Sequence, residues 1–433
     1  MSAPNKSVNA WIFLNEDEPP GSTYKTPGSS YQSLIEYGVY NNMDMLNMCF
    51  VEVLQTSPDT IPPGDGSSYT IRMGAPQHNQ PYMDWLIQDA RQANPNIKLL
   101  VTLVWGTENM LSQIFSADQS QWQQEAAAFA ANLKAYLDHF QLDGFDVDWE
   151  YPICYGGSQQ QFAILFTAVR AAFGTGGRYL LTLSPAEVGN LDAPTVNSAF
   201  DFVTLQLYAG ISPQEFIDAG IQADLLAYGA KFESGFQTAQ EAYEGYQAGG
   251  YAVATQWRLN STNFHFEQAQ QMILYQLVWG PAGAAFDDTP IAGAAGTPLI
   301  SSIAVRSGEV LDSIQVTNRG GPDQSSYQMP QHGGNGGQAN TVTIAQGDGI
   351  AGISGYTGTW FGWDCVLQLT ITTKMGQVFG PFGTMANASS STPFSYTAPA
   401  NQTIVAFAGT VVEVPEAGGG TSFIVASLTP SYG

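Results

Sequence analysis

Basic residues are scarce in this chain: 13 Lys and Arg stand against 37 Asp and Glu, a formal charge of −24 over 433 residues. Nucleic acids and anionic membrane surfaces are recognised through clustered Lys and Arg, so neither is an expected partner. Cysteine is scarcer still. Cys49, Cys154 and Cys365 are an odd number without repeated spacing, which provides neither a disulfide framework nor a zinc site. Cys49 and Cys365 lie in apolar, strand-like runs and read as core residues. No metal or other cofactor is expected. No apolar run is long enough to span a bilayer, and Met1–Ser7 lacks the basic-then-apolar pattern of a secretory signal. Charged residues make up only 12% of the chain, which suits a neutral partner that charge does not steer. The oligomeric state is not readable.

What the chain does have is length and alternation. It is too long for one average domain and suits a large domain followed by a smaller one. From about residue 8 to 280, strand-like and helix-like runs alternate, which predicts βα units and a parallel barrel. Eight strands are expected, at 9–14, 44–54, 98–105, 144–150, 179–185, 200–208, 224–229 and 251–257. The clearest helix, 121–140, carries Phe129, Leu133, Tyr136, Leu137 and Phe140 at helical spacing. Residues 281–298 are rich in Ala, Gly and Pro, without periodicity. Beyond them come short strands, abundant Gly, Ser and Thr, and no convincing helix, the texture of an all-β domain.

The densest chemistry lies in Asp143-Gly-Phe-Asp146-Val-Asp148-Trp-Glu150-Tyr151-Pro152. On a strand, Asp146, Asp148 and Glu150 share one face. Three carboxyls so close cannot all ionise cheaply, so one is expected to keep its proton near neutral pH, as a general acid must. A calcium loop would be polar between its acids; here Phe145, Val147 and Trp149 intervene, and the segment reads as a buried strand. A solvated acidic edge would gain nothing from the mutual repulsion.

The motif resembles the Asp-Gly-x-Asp-x-Asp-x-Glu signature of family 18 glycoside hydrolases, the chitinases and their relatives, with every fixed position filled. The resemblance implies a (β/α)8 TIM barrel over residues 1–282 and a substrate-assisted, retaining hydrolysis of sugars bearing a 2-acetamido group. It implies Glu150 as the acid, Asp148 as the group that orients the acetamide, and Asp146 as its proton-sharing neighbour. Asp143 would support the strand. Tyr208 in Gln206-Leu-Tyr208 resembles the tyrosine that bonds the acetamide carbonyl, and Trp257 the indole floor beneath the cleaved sugar. Phe50, Trp105, Gln206 and Tyr151 are further candidates for substrate contact. Two departures stand out. Thr102-Leu-Val-Trp-Gly106 replaces the family's Ser-x-Gly-Gly, and Ala209 follows Tyr208 where many members carry Asp or Asn. Glu187 is a candidate to restore a contact. Many chitinases insert an extra lobe between the last two strands; its absence implies a shallow groove and internal cleavage.

The C-terminal region resembles the jacalin-related lectins, which fold as a three-sheeted β-prism. The resemblance rests on Ile303–Gly308 with Leu311-Asp-Ser-Ile314, Gly333-Gly-Asn-Gly-Gly337, Ile350–Gly355 and Gly380-Pro-Phe-Gly383, in family order. The expected domains are therefore a barrel at 1–282, a linker at 283–298 and a prism at 299–433. The sugar loop is altered: Gly420-Thr-Ser-Phe-Ile424 lacks the family's aspartate. Trp360 and Trp363 could stack on sugars or fill the core. Three functions stay open: an endo-acting chitinase working on chitin or N-acetylglucosamine oligosaccharides, an endo-β-N-acetylglucosaminidase cutting N-glycan cores, and an inactive chitin-binding lectin. Action outside the cytosol is expected, although no export signal is visible.

Overall fold

A computed structural model describes residues 5–14, 24–104, 110–174, 177–280, 284–416 and 419–433. The chain divides into two compact units, 1–237 with 241–264, and 238–240 with 265–433.

The first unit is a closed barrel. Its strands are β1 (Ser7–Phe13), β2 (Met45–Gln55), β3 (Tyr69–Met73), β4 (Lys98–Leu103), β5 (Gly144–Trp149), β6 (Leu180–Pro185), β7 (Phe202–Leu205), β8 (Leu226–Lys231) and β9 (Val253–Trp257). Eight of them pair in parallel in the order β1-β2-β4-β5-β6-β7-β8-β9, and β9 returns to β1. Each of the eight lies on an expected strand. β3 was not foreseen. It pairs antiparallel with β2, Val51 opposite Met73, and lies outside the ring.

The helix Trp122–His139 buries Trp122, Ala126, Phe129, Ala130, Leu133, Tyr136 and Leu137, one apolar face of an amphipathic helix. It delivers the chain into β5. There Gly144 is required, because a Cβ would collide with the Leu180 carbonyl of the neighbouring strand.

Period-2 geometry stacks the barrel interior in layers. Met45, Leu100, Phe202, Ala227 and Val253, with Leu180, form an apolar base. Two residues further along their strands come Asn47, Thr102, Thr204, Thr255 and Thr182, all buried and polar. Two residues beyond those lie Gln206, Trp257 and Ser184, which open into a cavity. Polarity therefore rises towards the C-terminal ends of the strands.

The second unit is all-β apart from short helical pieces and the helix Phe264–Trp279. That helix falls within the stretch expected as the barrel domain, 1–282. Instead it groups with the second unit, where His265 Nδ1 pairs with the Ala294 carbonyl and the Phe266 amide donates to Asp323. The stretch expected as a linker, 283–298, contains β10 (Ala285–Asp287) and a helix at Thr289–Ala294. Phe286 and Asp288 are buried there, so the low periodicity of the sequence concealed an ordered segment.

The remaining strands are β11 (Leu299–Ser307), β12 (Leu311–Gly320), β13 (Ser325–Gln328), β14 (His332–Gly333), β15 (Gln338–Thr343), β16 (Ile350–Trp360), β17 (Trp363–Thr373), β18 (Val378–Phe382), β19 (Thr392–Thr397), β20 (Ile404–Pro415) and β21 (Thr421–Tyr432). Pairing sorts them into β11–β15, β16–β19, and β10 with β20 and β21. The last two groups are joined in strand pairing by Ile350–Ile404 alone. All three groups feed one core of Val310, Cys365, Leu367, Val414 and Ile424, against which Trp360 and Trp363 pack.

Candidate active site

The acidic strand delivers its side chains as the alternation requires. Every residue of β5 is buried, and Glu150 follows it directly. Trp149, on the other face, is fully buried edge-on against Phe162. Asp143 stays at the base of the strand, where its carboxylate accepts from the Leu99 amide and from Arg91, each at 3.1 Å.

Asp146 is the deepest of the three functional acids. Thr182 Oγ1 donates to it at 2.6 Å, and Ser184 Oγ lies 3.1 Å from the same oxygen. Burial raises its pKa, opposed by hydrogen bonds from Thr182, Ser184, Thr102 and Trp11. Asp148 is held well above the usual carboxylate range. Burial is the main cause, and the charges of Glu150 and Asp146 and a hydrogen bond to Glu150 add to it. Gln206 ties the pair together: its Nε2 donates to Glu150 Oε1 at 2.6 Å and to Asp148 Oδ1 at 3.3 Å. Burial and like charge favour the protonated form of Asp148 beside a carboxyl at the cavity wall, an arrangement suited to acid–base work.

The cavity encloses about 220 Å³ and is lined by Trp11, Phe13, Phe50, Thr102, Asp148, Glu150, Ser184, Gln206, Tyr208 and Trp257. Its aromatic wall is compact. Phe13 and Phe50 centroids lie 5.1 Å apart, and Phe50 stacks on Trp257 at 6.1 Å. Tyr208 sits on a short helical turn, Leu207–Ala209, after β7 has ended at Leu205. Burial, reinforced by Asp148 and Glu150, pushes its pKa well up, so the hydroxyl stays protonated and can donate.

Of the residues expected from the sequence, Asp148, Glu150, Gln206, Tyr208, Trp257 and Phe50 line this one cavity, with Asp146 directly behind. Tyr151 does not line it and is 67% exposed. Trp105 lies outside the described residues. Glu187 accepts a 2.8 Å hydrogen bond from Tyr155.

Sequence reasoning missed Trp11, Phe13, Thr102 and Ser184. Trp11 and Phe13 were within reach of the sequence, since both lie near the C-terminal end of an expected strand, where parallel barrels gather their sites. An ionic network went unnoticed as well. Arg258 Nη2 donates to Glu233 at 2.9 Å, with its guanidinium 5.4 Å from the Phe13 ring centre and 5.8 Å from that of Trp257. Lys231 lies 3.3 Å from the same carboxylate and 5.7 Å from the Tyr208 ring centre. Burial works to raise the pKa of Glu233, but the two cations hold it below the usual range. The network braces the rings that line the cavity. Among the described residues, no group of three or more His, Cys, Asp or Glu could hold a metal ion, and no helix is long and apolar enough to cross a membrane.

The chain spans only about a quarter to a third of the length of two curated relatives that it matches. The "Endochitinase" of Brugia malayi is 30% identical over 129 residues, covering 27% of this chain and 24% of the relative. "Chitinase A1" of Niallia circulans is 23% identical over 231 residues, covering 40% and 32%. A class V chitinase structure from Nicotiana tobaccum covers 64% of this chain and 100% of its own, with 12% identity and a TM-score of 0.47. A model of the jacalin-like lectin domain matches residues 276–414. The model of the glycosyl hydrolases family 18 matches residues 23–255, more than half of the chain and all of the cavity's acids, and the chain belongs to that family.

Proposed function

We propose that this chain is an endo-acting chitinase that cleaves β-1,4 bonds between N-acetylglucosamine units with retention of configuration. The observation that carries the reading is the placement of the carboxylates. Retaining glycosidases that use their own nucleophile set two carboxyls about 5–5.5 Å apart across the scissile bond. Here Asp148 and Glu150, the carboxylates among the described lining residues, stand side by side on one strand face and share the amide of Gln206. Among the described lining residues no carboxylate stands opposite, which supports a nucleophile supplied by the substrate, the role a 2-acetamido group can fill.

Glu150 gives its proton to the glycosidic oxygen as the C1–O bond breaks. The acetamide carbonyl oxygen bonds to C1, forming an oxazolinium ion. Asp148 accepts from the acetamide N–H and offsets the positive charge, while Asp146 takes up the shared proton. Tyr208 donates to the acetamide and holds it for attack. Water then adds to C1, returns a proton to Glu150 and opens the ring. The aromatic wall stacks on the apolar face of the pyranose.

Only residues 232–252 separate β8 from β9, so no extra lobe walls the cavity there. That supports internal cleavage of a polymer. The same reading places the enzyme's action outside the cytosol.

Mass spectrometry of products from chitohexaose and from a high-mannose glycoprotein, with Glu150→Gln beside the wild type, tests the proposal. Short chito-oligomers from the first substrate alone are expected. Release of whole glycans would reassign the activity to an endo-β-N-acetylglucosaminidase, and silence on both with retained binding would make the chain a lectin.

A further inference from the structure

The chain has only 13 basic residues, and two of them stand against rings that line the cavity. The buried Arg258 guanidinium lies over Phe13 and Trp257, and Lys231 Nζ lies over Tyr208. A cation over an aromatic face is drawn to the ring's quadrupole and holds the ring in place. One carboxylate serves both cations: Glu233 is 2.9 Å from Arg258 Nη2 and 3.3 Å from Lys231 Nζ.

The segments that carry these groups leave β8 and β9 and are bonded to each other and to β1. The Phe232 amide donates to the Trp257 carbonyl at 3.2 Å, and the Leu259 amide to that of Trp11 at 3.0 Å. Asn260 brackets Phe13, accepting from its amide at 3.0 Å and donating to its carbonyl at 2.5 Å. The Ser234 amide donates to Asn263 Oδ1 at 3.1 Å. The network is thus built into the frame of the cavity, and its charges reach the acids' surroundings. Arg258 acts on Cys49, as Asp146 and Asp148 do, and Glu233 acts on Tyr208, as Asp148 and Glu150 do. Ion pairs withdrawn from water often add little stability over apolar residues of the same shape, so this one calls for a reason beyond the fold.

We infer that Glu233 is a positioning residue that offsets Arg258 and Lys231, letting the two cations hold Phe13, Trp257 and Tyr208 without opposing the positive charge that develops on the sugar. The inference rests on the chitinase reading. There the sugar on the Trp257 wall becomes cationic at C1 as the leaving oxygen departs. A guanidinium beside the indole repels that charge, the more so in a site that excludes water. The Glu233 carboxylate counters the repulsion. A neutral sugar in the ground state feels little of either charge, so the loss of Glu233 falls on kcat and not on KM.

The test is steady-state kinetics on chitohexaose with wild type, Glu233→Gln, Glu233→Asp, Arg258→Met and the double variant E233Q/R258M. In E233Q, kcat should fall about ten-fold while KM stays within about two-fold of wild type. E233D, which keeps the charge, should recover most of that loss. With R258M already in place, the further change to Gln should cost about three-fold or less, because one of the two cations is gone. A raised KM at unchanged kcat would make Glu233 a structural brace. An equal cost in both backgrounds would show that it does not act through Arg258, and an E233D as slow as E233Q would show that charge is not what matters. Each of the three overturns the inference.

Calorimetry in the E150Q background separates this from a failure of the chitinase reading. Chitohexaose should bind with and without E233Q alike. A glucosamine-containing oligomer, cationic in mildly acidic buffer, should bind about ten-fold more weakly when Glu233 is replaced. Wild type that turns over no chitohexaose overturns the chitinase assignment, whereas equal affinity for the cationic oligomer overturns the role of Glu233.

Discussion

The two units invest their buried polar groups differently. In the barrel, Asp146 and Asp148 are buried beside Glu150, at a cost to the fold that the proposed chemistry, with a proton shared among acids, would explain. In the second unit Asp288, also buried, has a partner: it sits 3.0 Å from His332, which opposes the upward push of burial on its pKa and whose ring stacks on Phe286 at 3.8 Å. The aromatics contrast in the same way. Trp257 and Phe50 line an open cavity, while Trp360 packs on the core and donates to Glu309 at 2.7 Å. A functional site is where buried charge is left strained by its neighbours; a structural pair is where it is compensated.

Substitutions sharpen that contrast. Glu150→Gln should lower kcat on chito-oligomers by about 10²–10⁴-fold without loss of binding, measured by steady-state kinetics and calorimetry. A variant with near-normal turnover would move the acid elsewhere.

In the second unit, His332→Ala strands Asp288 as an uncompensated buried acid and should destabilise that unit by ~3–5 kcal/mol in denaturant unfolding. A change below about 1 kcal/mol would mean that the pair is not holding the fold.

Tyr208→Phe removes one donor to the acetamide and should cost roughly 10–100-fold in kcat. Full activity in that variant would place the hydroxyl outside the reaction.

Asp148→Asn should abolish useful turnover yet raise the unfolding temperature. The folded pKa of Asp148 lies above its unfolded value, so ionising it costs stability as pH rises through the folded pKa. The gain from the amide is therefore full at high pH. It vanishes below the unfolded carboxylate pKa, where both states are protonated. A gain that grew on acidification would contradict the burial argument.

The smallest effect belongs to Phe423→Ala, near the start of β21 in the segment expected as the altered sugar loop, where the ring is 43% exposed. Hydrolysis of soluble oligomers should be unchanged and stability should shift by no more than about 0.5 kcal/mol. A kinetic effect there would show that the two units do not divide the work.

The barrel was legible because its strands announce themselves by alternation with helices, and each of the eight falls on an expected run. β3 was not legible, since Tyr69–Met73 sits in a Pro- and Gly-rich stretch and owes its form to pairing with β2. The segment 283–298 was misread for a related reason: its order comes from β10 pairing with β20, more than a hundred residues away.

By itself the sequence determined that Asp146, Asp148 and Glu150 share one face, because a strand's side chains repeat every two residues and this needs no partner. Only the tertiary structure decided what surrounds them. Gln206 reaches Glu150 across 56 positions of sequence, Thr182 reaches Asp146 across 36, and Trp11 comes to Trp257 through the closure of β1 on β9. Barrel closure decides which distant side chains converge on the acids, and local periodicity carries no record of it.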